Sequence, residues 1–275
     1  MIVRDEQGVL HVVPLSGGHD STAVAFILKE EEPRPYNYIC TPTGNELPVM
    51  FAQWRWLGEA LGSRIIPIME GRGLLDWSRH RKAVPNSKMR HCTPGLKIAP
   101  LTAWLREQLA DGPVVIYVGL RADEPTRAGA IYPGLNDVEQ RFPLRERDMG
   151  DPDVLGFLEQ RNITVPERTD CALCYHQQIG EWWMLWHDFP ELFAEGIAFE
   201  AEMGQTFRTP KKNPDGTPVM VTRYGMTFAA CWRDTWPVRL ADMAALFEVG
   251  YVPQHRTDPR ARDLFRGGAC RACSL

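Results

Sequence analysis

Apolar residues along this chain fall into short compact runs separated by stretches in which they recur three or four positions apart. Leu10 to Leu15 is one such run, closed by Ser16-Gly17-Gly18, and Ala23, Val24, Phe26, Ile27 and Leu28 follow at helical spacing. The order is strand, glycine turn, helix. Tyr36 to Cys40 forms a second run that ends at Thr41-Pro42-Thr43-Gly44, after which Val49 to Leu61 returns to helical spacing. A third short strand is expected over Arg64 to Met69, a helix over Leu96 to Leu109, and a fourth strand over Pro113 to Gly119. This last run is apolar almost throughout, as strands of a parallel sheet covered on both faces are. Strands alternating with helices predict an α/β fold, a Rossmann-like doubly wound parallel sheet. Ligands of such sheets bind outside the carboxyl ends of the strands, which here means Ser16 to Thr22, Thr43 to Glu46 and Gly119 to Glu124.

After about Gly150 the texture changes. Helical spacing returns over Val154 to Gln160 and Gln177 to His187, and a loop containing Gly, Pro and Lys covers Thr209 to Pro218. The expected division is an α/β domain over residues 1–150 and a helical, cysteine-bearing part over 151–275. Trp182 and Trp186, four apart on one helical face, are expected in the core.

Composition narrows the possibilities. The 275 residues carry 31 Lys and Arg against 35 Asp and Glu, a formal charge of −4, which excludes a generally basic nucleic-acid binder but leaves room for a local basic surface. Such a surface is suggested by Arg208, Lys211, Lys212 and Arg223, and by Arg256, Arg260, Arg262 and Arg266. The longest apolar run, Val114 to Val118 with Gly119 and Leu120, falls far short of the ~20 residues that span a bilayer, so no membrane partner is expected. The first residues, Met1-Ile2-Val3-Arg4-Asp5-Glu6, place charges where a secretory signal needs an apolar stretch, so a cytoplasmic protein with reduced thiols is expected. There are seven cysteines, and in a reducing compartment paired cysteines serve as metal or cluster ligands more often than as disulfides. Cys171-Ala172-Leu173-Cys174 and Cys270-Arg271-Ala272-Cys273 are two C-x2-C pairs, able to wrap a zinc ion or an iron–sulfur cluster. The terminal pair also suits persulfide relay. Cys40 and Cys231 have apolar neighbours and read as packing residues.

Ser16-Gly17-Gly18-His19-Asp20-Ser21-Thr22 lies where free backbone N–H groups and the positive end of a helix can cradle an anion. The glycines permit close approach, and Ser16, Ser21 and Thr22 add hydroxyls. Asp20 would fix the loop or help to coordinate a divalent cation. A plain glycine turn with a helix cap is the simpler alternative. The chain has no Gly-Lys-Ser or Gly-Lys-Thr, so the phosphate loop of γ-phosphate-transferring enzymes is absent.

The full string resembles the SGGxDS signature of the PP-loop ATP pyrophosphatases, adenine nucleotide alpha hydrolase-like proteins that split ATP between the α and β phosphates. Further segments are similar to the phosphoadenosine phosphosulfate (PAPS) reductase branch of that superfamily. Cys92-Thr93-Pro94-Gly95-Leu96-Lys97-Ile98-Ala99-Pro100-Leu101 resembles CCxxRKxxPL, with Thr93 in place of the second cysteine. Gly119-Leu120-Arg121-Ala122-Asp123-Glu124 resembles GxRxxE, and Thr43-Gly44-Asn45-Glu46 resembles TGxE. The resemblance implies ATP and Mg²⁺ held by Ser16, Gly17, Gly18, Asp20, Ser21, Thr22, Thr43, Gly44, Glu46, Gly119 and Arg121, with Asp20, Lys97 and Arg121 catalytic. Among cluster-bearing relatives the matching ligands are Cys92, Cys171 and Cys174. Cys270 or Cys273 would then complete a [4Fe-4S] cluster, with zinc as the alternative.

Relatives that reduce sulfonucleotides carry a degenerate loop and a Glu-Cys-Gly tail. This chain keeps the intact loop and ends Cys270-Arg271-Ala272-Cys273-Ser274-Leu275. That points to the sulfur-inserting members, including those of DNA phosphorothioation and the PAPS-reductase-like proteins of phages. The function so implied is an ATP pyrophosphatase forming AMP and pyrophosphate, which adenylates DNA or tRNA for sulfur transfer and draws sulfur from a cysteine desulfurase partner. A PAPS or adenosine phosphosulfate (APS) reductase, or a non-catalytic nucleotide-binding partner in a modification or defence complex, are the alternatives.

Overall fold

The structure, a computed structural model, describes residues 2–129, 132, 134–135 and 137–253. Cys270, Cys273, Arg256, Arg260, Arg262 and Arg266 lie outside the described residues. Five parallel strands make the main sheet: β1 (Leu10–Pro14), β2 (Tyr36–Cys40), β3 (Ile66–Pro67), β4 (Val114–Tyr117) and β5 (Val138–Arg141), in the order β3-β2-β1-β4-β5. The predicted α/β doubly wound sheet is therefore present. β1 pairs with both β2 and β4, Val12 lying opposite Asn37 on one side and Ile116 on the other, so the chain reverses its direction of winding at β1.

Alternate residues of the central strands feed two cores. Val13, Tyr38, Val115 and Tyr117 pack beneath helices α1 (His19–Glu31) and α2 (Pro48–Leu61). Leu10, Val12, Val114 and Ile116 pack on the opposite face with Leu101 and Leu105, which belong to α4. One polar residue, His11, is buried in the central strand and its ring nitrogens are satisfied by Tyr117 Oη at 2.8 Å and Asp5 Oδ2 at 2.9 Å.

The remaining helices are α3 (Leu74–Arg81), α4 (Ala99–Leu109), α5 (Pro143–Glu146), α6 (Asp151–Gln160), α7 (Ile179–Asp188), α8 (Pro190–Met203) and α9 (Leu240–Glu248). Thr93–Ile98, ahead of α4, is a π-helical turn. An antiparallel hairpin, β6 (Met220–Arg223) and β7 (Met226–Ala229), interrupts the helices of the C-terminal part. Contacts group the chain into two compact units. One holds the residues up to Arg72 together with Thr93–Asp170; the other holds Gly73–Cys92 and the described residues from Cys171 onward. α6 packs on α1 in the sheet-bearing unit.

In the second unit Trp182 is fully buried, edge-on to Phe193 at 6.4 Å and beside Phe207 at 6.3 Å, and Trp186 packs on Phe247, as their helical spacing predicts. Glu200 of α8 is buried there as well. Its carboxylate accepts the backbone N–H of Phe207 at 3.0 Å and of Leu240 at 2.8 Å, tying α8 to the start of α9. Among the described residues no helix is long and apolar enough to cross a membrane.

Candidate functional site

The glycine turn sits at the carboxyl end of β1. Leu15 still donates its N–H to Ile39, continuing the ladder, and the chain then turns at Gly17, whose φ of +85° lies in the left-handed region that favours glycine. A Cβ at Gly17 would meet Met50 Cε at 2.5 Å, with Gln53 and Trp54 just beyond, so α2 forms the wall of the turn. Trp54 fixes that wall by donating its indole N–H to the Leu15 carbonyl at 3.1 Å. Ser16 Oγ accepts the Gly18 N–H at 3.3 Å and lies 3.0 Å from Ser21 Oγ, which also reaches the Gly18 carbonyl. The hydroxyls thus brace the loop from inside. α1 begins immediately after it with no side-chain cap, an arrangement in which the first helical N–H groups and the helix dipole can face an anion. The hydroxyl of Thr22 and the amide nitrogen of Gln53 are buried without a partner near this turn, and burial makes such groups costly unless a ligand or water satisfies them.

At the end of β4, Gly119 passes so close to α1 that a Cβ there would lie 3.1 Å from the Asp20 carbonyl carbon. That approach brings Arg121 to Asp20, whose two oxygens accept from one guanidinium nitrogen at 3.2 and 3.1 Å. Arg121 is held at the same time by Asp123 at 2.9 Å, Asp151 at 3.4 Å and Glu124 at 3.9 Å, so four carboxylates surround one cation. Burial pushes the Asp20 carboxyl above its ordinary range, the Arg121 charge pulls it back, and Glu124 and Asp151 add to the rise. Arg121 itself is partly desolvated, yet its carboxylate neighbours hold it firmly charged. Asp123 and Asp151 were not singled out from sequence. Asp123 accepts the Asp151 N–H at 3.2 Å at the start of α6, a contact between segments far apart in the chain.

Thr43 to Glu46 folds at the carboxyl end of β2. Glu46 Oε1 accepts both the backbone N–H and the hydroxyl of Thr43, at 2.5 and 2.7 Å, while its other oxygen is buried without a partner. Gly44 takes a φ of +71° in this turn. Alongside lies a groove of about 890 Å³ lined mainly by apolar atoms, to which Pro42, Gly44, Glu46, Phe51 and Trp54 of α2, and Ile65, Pro67 and Met69 contribute. Trp54 belongs to both the groove and the glycine turn. Lys97 lies on the π-helical turn before α4, in the same unit as the loop.

The cysteines divide by environment. Cys40 lines the groove, but burial raises its thiol to about 12, which keeps it protonated and unreactive. Cys231 is buried too, as its apolar neighbours suggest. Cys92, Cys171 and Cys174 share the second unit. Cys171 and Cys174 form a tight turn closed by the Cys174 N–H on the Cys171 carbonyl at 3.2 Å, and the Gln177 side chain clamps it at the Ala172 carbonyl. Burial, with the nearby Cys92 and Cys174, raises the Tyr175 phenol to about 12. Soft thiolates suit zinc or an iron–sulfur cluster. Among the described residues, however, no three His, Cys, Asp or Glu side chains come together closely enough to hold a metal ion. Cys270 and Cys273, either of which would complete the expected set, lie outside the described residues.

Arg208 departs from expectation. It is almost fully buried and paired with Asp234, so it is not part of an exposed basic surface. Burial without an opposing charge would be prohibitive for a guanidinium, which is why the two occur together.

No protein-family profile matches the chain, and no curated protein matches it in sequence. Solved structures do resemble it. A PAPS reductase from Candida auris, crystallised with phosphate, is 12% identical with a TM-score of 0.45, covering 58% of this chain and 75% of its own. The U34-tRNA thiolase NcsA from Methanococcus maripaludis, with its [4Fe-4S] cluster, is 16% identical with a TM-score of 0.43, covering 71% and 72%. An NH3-dependent NAD synthetase from Campylobacter jejuni is 15% identical with a TM-score of 0.39, covering 74% and 84%.

Proposed function

We propose that this chain is a PP-loop ATP pyrophosphatase that adenylates an oxygen of a nucleic-acid acceptor, DNA or tRNA, so that a sulfur nucleophile can displace AMP. The observation that carries this reading is the turn from Ser16 to Thr22, which leads into the uncapped start of α1 and faces the Asp20–Arg121 pair. Its backbone N–H groups and hydroxyls take the two terminal phosphates of ATP. The groove beside Trp54, which Gly44 and Glu46 also line, takes the adenosine end.

Arg121 is preorganised between carboxylates in the free protein. When triphosphate enters, its charge turns to phosphate, where it opposes the negative charge that grows on the leaving pyrophosphate. Lys97 steadies the α phosphate. Mg²⁺ arriving with the nucleotide supplies further charge neutralisation. Asp20, released from Arg121, orients the loop. Cys92, Cys171 and Cys174, with Cys270 or Cys273, are the thiols available to a cluster or zinc and to sulfur received from a desulfurase, and metal analysis of anaerobically purified protein tests that assignment.

Incubation with ATP labelled in the α phosphate is the direct test of the pyrophosphatase. With water taking the adenylyl group in place of the acceptor oxygen, AMP and pyrophosphate are expected, with loss of turnover in Asp20→Ala. Formation of ADP and phosphate, or of sulfite from PAPS without ATP, would overturn the assignment.

A further inference from the structure

We infer that the β6–β7 ribbon is a docking surface for single-stranded RNA. This deepens the proposed function and rests on it only for what the bound strand is used for; the binding itself stands on the ribbon. Backbone hydrogen bonds and isolated bridges extend the two-stranded hairpin to the segment at Lys211: Lys211 donates to Ala230, Val219 donates to Lys211, and Ala230 donates to Val219. At one end the turn residues Tyr224 and Gly225 both take positive φ, which fixes a tight hairpin tip where the Tyr224 ring lies edge-on to Tyr251 at 5.6 Å and is still 59% exposed. Toward the other end the chain emerges at Trp232, 51% exposed, whose indole donates to Ser87 at 3.1 Å and whose ring carries the Arg233 guanidinium at 5.9 Å. Six residues of extended chain, Met226 to Cys231, lie between the two aromatic residues, a span of about 20 Å.

Charge along the ribbon opposes that of the whole molecule. Between residues 205 and 239 there are six cations and two acids, in a chain whose net charge is −4. One acid, Asp234, is paired with buried Arg208, and the other, Asp215, is an exposed carboxylate in the loop that accepts the Thr217 N–H and hydroxyl. Lys211, Lys212, Arg233 and Arg239 remain exposed, and Arg223 is spread over the Trp236 ring at 4.4 Å. Exposed aromatics interleaved with cations are what a strand with unstacked bases requires: cations track the phosphates while rings stack on bases. A duplex offers no such faces. Between the two aromatics, the Thr222 and Thr227 hydroxyls lie 2.9 Å apart on the exposed ribbon. One bond between them leaves a proton and lone pairs to exchange with a ribose 2′-hydroxyl, which DNA lacks.

The test is fluorescence anisotropy of the full chain with a labelled 20-nucleotide single-stranded RNA, without ATP, across salt concentrations. Three to five neutralised phosphates predict a loss of affinity of about 20- to 130-fold between 50 and 200 mM salt. Tyr224→Asn, which suits the positive φ, is expected to weaken binding about 5- to 150-fold. Lys211→Glu with Lys212→Glu is expected to flatten the salt dependence. Thr222→Val with Thr227→Val is expected to erase the preference for RNA over DNA of the same sequence, with unchanged thermal melting. Binding that ignores salt, duplex RNA or DNA bound as tightly as the single-stranded RNA, equal displacement by polyglutamate, or folded variants that bind like wild type would each overturn the inference. Pyrophosphate release from ATP alone is measured on the same variants and is expected to be unchanged, so failure here is separable from failure of the pyrophosphatase reading.

Discussion

Gly17 bears two constraints at once, a left-handed backbone and a Met50 methyl 2.5 Å from where a Cβ would stand. Gly17→Ala is therefore expected to cost about 2–3 kcal/mol and to abolish nucleotide binding, read by urea unfolding and by equilibrium binding of ATP. Adding Met50→Ala should return part of the stability, because it removes the collision but not the φ penalty. Arg121→Met tests the charge arrangement. It leaves the mostly buried Asp20 carboxylate beside Glu124 and Asp151 with no cation, so its carboxyl should rise further. A raised carboxyl means that the folded state holds its proton to higher pH than the unfolded chain. The variant should therefore match wild type most closely in acid and fall behind by about 1–3 kcal/mol as pH rises to 8, in urea midpoints measured across pH. Ser16 to Thr22 and Arg121 could be found in the sequence because each lies in a local string at a strand end. Met50, Gln53, Trp54 and Asp151 could not. They reach the loop or Arg121 through tertiary contact, and nothing in their own neighbourhoods marks them.

Strands and helices with strong periodicity were legible, and those without it were not. β5, Val138-Glu139-Gln140-Arg141, pairs in register with β4 at the sheet edge, yet its polar composition gives no strand signal. β3 is only Ile66–Pro67, shorter than the apolar run from Arg64 to Met69 suggests, and Pro67 sits on an edge strand, where a residue without an N–H is tolerated. The β6–β7 hairpin was hidden in a region read as helical, its alternation weakened by exposure of most of its residues. Within that unit Glu200 links α8 to α9, and burial lifts its carboxyl to about 7. Between an unfolded value of 4.5 and about 7, the folded protein keeps a proton that the unfolded chain has lost, so stability should decline as pH rises through that window. The loss is expected to reach up to about 3 kcal/mol by pH 8. Glu200→Gln should lack this decline, although it sacrifices one of the two backbone bonds, and thermal melts at pH 5 and pH 8 would show both effects.

Across the whole molecule, thiol reactivity should sort by burial. Ellman's reagent added to native protein is expected to spare Cys40 and Cys231, which should react only after denaturation. Rapid reaction of Cys40 would contradict its place in the wall of the groove. The same scale shows why a division drawn at residue 150 from texture differs from the grouping by contacts: helix α3 belongs with the C-terminal elements although it precedes β4. That excursion has a consequence for synthesis. The polypeptide leaves the ribosome with β1 to β3 first, then α3, then the rest of the sheet, so α3 emerges before any of the later helices it is grouped with has been translated. A nascent chain halted near residue 170 would contain every strand of the large sheet and still present an orphan helix, which makes ribosome-stalled intermediates of that length natural clients for a chaperone.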